Sequence, residues 1–259
     1  MSPKPKTSGR FLALGLFFAL ALPLFGQSET NKIFIARAER EFLTALRQFE
    51  SNTNDYAAAW RFGRASFDWA DCATNDARRA EIARIGIAAC RQSLAGQPKS
   101  APGHYYLAMN FGQLAQAEAP SLAAYRLVKE IEREFKAAAD LDEKFDFAGP
   151  PRCLGLLYRD APGWPVSIGS RHKARDWLDR AAALAPGFPE NQLNLAETHL
   201  QWHQRAEAEK ALNQLDAIWP AARTNLVGAV WEKSWQEWGG RRAAARTEFS
   251  RIYQGKSSR

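Results

Sequence analysis

Residues 189–220 read PENQLNLAETHLQWHQRAEAEKALNQLDAIWP. Leu195-Ala196 and His199 recur at helical spacing and mark one helix, and Ala208, Leu212 and Leu215 mark a second before Pro220. Proline falls at the edges of this unit, where it punctuates rather than continues a helix. Pro186 closes the preceding stretch and Pro220 this one, 34 residues apart, an interval that suggests a repeat of one helix pair.

The same arrangement recurs upstream. One unit earlier come Leu154-Gly155 and Tyr158, then Ala174, Leu178, Ala181 and Pro186, with about seven extra residues in the loop from Asp160 to Gly169. Before that, Leu107-Ala108 and Phe111 precede Ile131, Phe135 and Ala138, with Glu143 in place of the closing proline. The connection from Phe111 to Ile131 is long by about eleven residues. A first, degenerate unit carries Trp60 and Phe67, then Gly86, Cys90 and Ser93, and closes at Pro98. Small residues such as Gly155, Ala174 and Ala181 let antiparallel helices approach, and the large residues fill the gap to the next pair. No pair buries both faces alone, so the units must stack and the array needs capping helices. Asn31 to Glu50 is one amphipathic candidate cap; Leu226 to Trp238, with Trp231, Trp235 and Trp238 in a stripe, and Arg241 to Tyr253 are two more.

These residues follow the tetratricopeptide (TPR) pattern W-x2-L-G-x2-Y…A-x3-F…P, and residues 55–220 resemble that superfamily. The expected fold is an all-α, TPR-like solenoid. Its units cover about 55–98, 101–143, 148–186 and 189–220, and capping helices at 221–254 follow, giving about eleven helices in one domain over 29–259. More narrowly, Tyr105 to Phe111, Phe147-Ala148-Gly149-Pro150 and Leu154 to Ser170 leading into Lys173-Ala174-Arg175 look like the T-component family of TRAP transporters. That resemblance implies a helical repeat protein that assists a periplasmic substrate-binding protein. Familiar members are often lipoproteins, whereas this chain has no cysteine after its apolar run.

Residues 1–28 read as a signal peptide. Lys4, Lys6 and Arg10 precede an uncharged apolar run from Phe11 to Phe25, with cleavage expected near 26–28. The run is shorter than the roughly 20 residues a permanent span needs. The protein is therefore expected in the periplasm or secreted, with an uncleaved anchor as the alternative. Removing those three basic residues from the formal +7 leaves +4. The remaining basic residues alternate with acids, as in Arg37-Ala38-Glu39-Arg40-Glu41, a pattern of solvated helix faces rather than nucleic-acid binding. Cys72 and Cys90 would pair as a disulfide if neighbouring helices bring them together; otherwise they, with Cys153, are small buried hydrophobes.

Motifs for phosphate, dinucleotide or zinc chemistry and for serine nucleophiles are absent, so neither catalysis nor a cofactor is expected. His199 and His203, four apart, could share a metal, but His199 occupies a packing position of the repeat. Arg241, Arg242 and Arg246 beside the tryptophan stripe read as part of a cap rather than a lipid-binding helix. The positions between packing residues on the first helix of each pair define a candidate groove: Arg61, Tyr105, Tyr106, Met109, Arg152, Leu156, Arg159, Asn194 and Glu197. Trp164, in a rigid Pro-Gly-Trp-Pro loop, joins them as a residue folding onto the groove or a partner. The expected occupant is a protein partner, such as a periplasmic substrate-binding protein; the alternative is an apolar small molecule.

Overall fold

A computed structural model describes residues 29–119 and 121–253; residues 1–28, read above as a signal peptide, lie outside the described residues. The protein is an all-α solenoid of helix pairs. Helix α1 (Glu29–Ser51) precedes the pairs α2 (Tyr56–Asp71) with α3 (Asp76–Gly96), α4 (Ala101–Ala117) with α5 (Leu122–Asp142), α6 (Phe145–Asp160) with α7 (Arg171–Leu184), and α8 (Pro189–Gln201) with α9 (Arg205–Asn225). A single 3-10 turn (Ala229–Trp231) then leads into α10 (Glu232–Tyr253).

The helix starts are written locally. Asp55, Asn75, Ser100, Ser121 and Ser170 each accept backbone N–H bonds from the first turn that follows, satisfying donors that the helix itself cannot. Pro189 opens α8, where no N–H is needed. Helix α6 starts differently. Asp146, Phe147 and Ala148 take left-handed φ values of 51°, 55° and 61° before Pro150 and Pro151 enter the helix.

Packing follows the small residues. A Cβ on Gly155 would stand 2.6 Å from Leu178 Cγ and 3.0 Å from its backbone nitrogen, so α6 and α7 approach through that position. Around such contacts Tyr105, Phe135, Ile131, Leu154, Leu157 and Leu178 are fully buried, and Leu193, Leu212 and Leu215 continue the core.

Four expectations change. Most of the extra residues between Phe111 and Ile131 are helical; they lengthen α4 to Ala117 and start α5 at Leu122. Helix α9 runs through Pro220 to Asn225. The proline costs about 3 kcal/mol within a helix, offset by Leu215, Trp219, Ala222 and Leu226 packing on Phe188, Trp235 and Trp238. The two C-terminal caps are one helix, because α10 continues through Gly239 and Gly240. Its buried residues Trp235, Trp238, Arg241, Ala245 and Phe249 recur every three or four positions, and this stripe outweighs about 1 kcal/mol per glycine. Finally, Cys72, Cys90 and Cys153 are free thiols; Cys90 fills the space a Gly63 side chain would need.

Gly155→Ala should destabilise the protein by about 1–3 kcal/mol in denaturant titration, since the added methyl forces α6 and α7 apart. Gly239→Ala meets nothing within 4 Å and should stabilise it by about 0.5–1 kcal/mol.

Candidate functional site: the inner face and its C-terminal strap

The first helices of the pairs carry polar residues on one face, and the C-terminal segment folds back across it. On α2, Arg64, Asp68 and Asp71 share a face through four- and three-residue spacing. On α4, Tyr106 stacks against Trp60 with ring centroids 5.9 Å apart, and the Arg64 guanidinium lies over Tyr106. Gln113, two turns further along α4, donates to Asp71 Oδ1 at 3.4 Å.

The entry to α6 occupies the middle of this face. Buried Arg152 donates to the Phe147 carbonyl at 3.1 Å and to Asn191 Oδ1 at 3.3 Å, and its guanidinium stands over Phe188. It also reaches the Asp146 carbonyl, and the Tyr105 hydroxyl donates to the Asp146 carboxylate at 2.9 Å. The three left-handed residues cost of order 1–3 kcal/mol each; Arg152 holds the Asp146 and Phe147 carbonyls in place, and Asn191 also donates to that of Phe147. Phe147 stacks on Phe188 at 4.5 Å, and Trp231 of the strap meets both rings edge-on.

The strap is tied at both ends of the array. Arg241 donates to Asn194 at 2.6 Å and to Glu197 at 2.7 and 2.8 Å, with Glu190 at 3.8 Å. Lys233 reaches back to Asp71 at 2.5 Å. Arg37 of α1 binds the Ala229 carbonyl and Glu232. Arg242 and Arg246 pair with Asp216 of α9, so the arginine run is consumed by packing of α10.

Electrostatics follow from this crowding. Burial, aided by Asp71 and Glu41, pushes the Asp68 carboxyl up to about 6 against the pull of Arg64. Burial likewise raises Glu237. For Lys233 burial works downward, but Asp71, Cys72 and Glu237 outweigh it and raise the ammonium.

The expected groove residues divide. Tyr105 and Arg152 join at Asp146, Tyr106 stacks on Trp60, and Asn194 and Glu197 join through Arg241; Tyr105 and Asn194 are fully buried and serve these contacts rather than an open groove. Leu156, 4% exposed, lies in the core among Leu178, Leu195 and Leu212, away from any groove. Met109 is half-buried and accepts from Cys153. Arg159 pairs with Asp160 and donates to Thr198. Arg61 is exposed, its guanidinium over Trp60. Trp164 is 89% exposed and touches no groove; it stands out from the Ala161–Gly169 loop, which is closed by Gly169 N–H donating to Pro162 at 2.9 Å. Ser170 caps α7. His199 is buried beside Gln204 and Trp202, and His203 takes φ 57° just past α8. Asp68, Asp71, Gln113, Lys233 and Glu237 escaped the sequence reading. The spacing of Arg64, Asp68 and Asp71 was visible, but their role depends on where α10 returns.

A thermophilic TPR protein from Thermus thermophilus superposes on the chain with a TM-score of 0.61 at 18% identity, covering 84% of this chain and 95% of that one. The protein is a TPR-like solenoid. Residues 28–145 also match the family described as Regulator of microtubule dynamics protein 1-3, a match that reaches from α1 to the start of α6. No curated protein matches the chain with significance.

Two tests address this TPR-like inner face. Arg152→Met should cost about 3–5 kcal/mol in denaturant titration, because it strands buried acceptors around a strained turn. Arg152→Lys should recover less than half, lacking the planar fork. Asp68 binds its proton more tightly folded than unfolded, so its penalty is absent below about pH 4 and grows to its full value above about 6. Asp68→Asn should therefore melt higher than the parent at pH 7.5, the difference closing as pH falls towards 4.

Proposed function

We propose that the protein is an exported interaction scaffold that holds a protein partner through its inner face and strap. The observation that carries this reading is the inner face itself. Charged and aromatic side chains from four repeats converge there under a segment held by side-chain contacts, at Lys233, Arg37 and Arg241. Arginine, tyrosine and tryptophan are the residue types that concentrate binding energy in protein interfaces. The TPR-like fold supports a protein partner, and a family described by a regulator rather than an enzyme agrees with a binding role. Such scaffolds act by recognition, and the chain carries none of the catalytic motifs sought.

The finer reading, an accessory of TRAP-type solute uptake acting on a periplasmic substrate-binding protein, rests on the segments of the T-component resemblance alone. Export rests on residues 1–28. Carriage of an apolar ligand is less favoured. The depressions beside Asp140–Lys144 with Arg180, and beside Arg223 with Trp235, are open to solvent rather than enclosed, whereas ligand sites bury most of their ligand.

Full-length chain expressed with an affinity tag at its C-terminus and recovered from the envelope fraction tests both parts. The expected result is a protein cleaved near residues 26–28 that brings down one protein in stoichiometric amount. An uncleaved cytoplasmic product would overturn export. A copurifying lipid-like compound with no protein would overturn the scaffold.

A further inference from the structure

We propose that His104 is a proton-operated pin in the joint between the first and second helix pairs: charged, it ties the turn from α3 to α4 onto α5, and on losing its proton it lets that turn loosen. The pin belongs to the repeat array itself and does not depend on the identity of any partner.

The imidazole has an acceptor on each side. Its Nδ1 stands 2.6 Å from Glu134 Oε2 of α5, and its Nε2 stands 3.0 Å from the Pro98 carbonyl in the turn between α3 and α4. A neutral imidazole carries one N–H and one lone pair, so it satisfies one of these acceptors and turns a lone pair on the other. The imidazolium donates to both. Among the described residues no other histidine is placed so: His172 meets Asp176 and His199 meets Gln204, each through Nδ1 alone.

The surrounding charges favour the imidazolium. Glu134 is 5% exposed, and Arg133 donates to its other oxygen, Oε1, at 2.7 and 3.0 Å. Burial would raise the Glu134 carboxyl, but the hydrogen bonds from His104 and Arg133 outweigh it and hold the group below its ordinary value, as an anion. The hydrogen bond to Glu134 in turn raises the His104 imidazole above its ordinary 6.5, with the Pro98 carbonyl adding to the rise against burial and the Arg133 charge. Arg133 is itself answered by Glu130 at 2.6 Å. The positive end of α4 also opposes a cation in its first turn, where α4 has no acidic residue of its own. The counter-charge for His104 therefore comes from α5.

The turn that the pin holds is the start of α4. Ser100 N–H donates to the Gln97 carbonyl at 3.1 Å, and Ser100 in turn accepts from Gly103 N–H at 3.2 Å and from His104 N–H at 3.1 Å. Pro98 brings no N–H to this turn, so its carbonyl is the handle. When His104 is neutral with its proton on Nδ1, the Nε2 lone pair faces that carbonyl and the tie is lost. His104 binds its proton more tightly folded than unfolded, so the tie is complete below about pH 6.5 and is lost as pH rises through the higher folded value.

Nitrogen-detected NMR of the imidazole rings in the full chain, with amide hydrogen exchange from pH 6 to 8.5, tests the pin. His104 should titrate above 6.5, and Glu134→Gln should lower its midpoint by about one unit or more. Across that midpoint the protection of the Ser100, Gly103 and His104 amides, corrected for the intrinsic rise of exchange with pH, should fall about tenfold in the parent. In His104→Gln it should not change with pH. A His104 midpoint at or below 6.5 in the parent overturns the proposal. So does protection that stays constant across a raised midpoint, or that falls equally in the parent and His104→Gln.

Discussion

The structure depends on one constraint: no helix pair here can bury both of its faces, so each must be packed closely enough to support the next. Gly155 against Leu178 and Gly63 against Cys90 show how closely the helices approach. Side chains at those points would hold the pairs apart, and Tyr105, Phe135, Leu154 and Leu212 would lose the contacts that enclose them. Stability in such an array is carried between neighbours, so both ends must be finished. Helix α1 finishes one end, with Phe42 against Phe62 and Trp69. Helix α10 finishes the other on α8 and α9 through Trp235, Trp238 and Phe249.

The finishing of the second end creates the surface proposed to hold a partner. Before α10 settles on α8, the chain crosses the inner face, placing Trp231 against Phe147 and Phe188 and Lys233 on Asp71. The contacts differ in kind. Arg241 is buried among Asn194, Glu197 and Glu190, and removing one partner of such a set is costly. Lys233, Asp71, Arg37 and Glu232 are partly exposed, where ion pairs contribute about 0–1 kcal/mol each. The strap is therefore anchored firmly at α8 and lightly at α1 and α2. The proposed partner would have only the light end to displace.

The repeats were legible because their signal is local. Leu154-Gly155, Tyr158 and Ala174, or Leu195, His199 and Ala208, carry spacing and residue size within one helix pair. Ser170 as a cap and the loop around Trp164 were legible for the same reason. Pro220 and the Gly239-Gly240 pair misled because their local preference for a break lost to tryptophans packed from elsewhere. The groove was legible only in part. Helical spacing singled out Tyr106, Arg152 and Glu197, but could not tell Leu156, which turns into the core, from its neighbours. Asp71 with Lys233, separated by 162 positions, depends on the path of the whole chain, and the left-handed turn at Asp146 to Ala148 carries no glycine to announce it.

The central claim is that the C-terminal segment closes across the inner face and rests on α2. Zero-length carbodiimide coupling measures this directly, because it joins an amine to a carboxylate only where the two touch. In dilute protein, peptide mapping should find Lys233 joined to Asp71, alongside the within-helix control Lys136 with Glu132 at 2.6 Å. Coupling of Lys136 to Glu132 with Lys233 left unjoined to Asp71 would contradict the account.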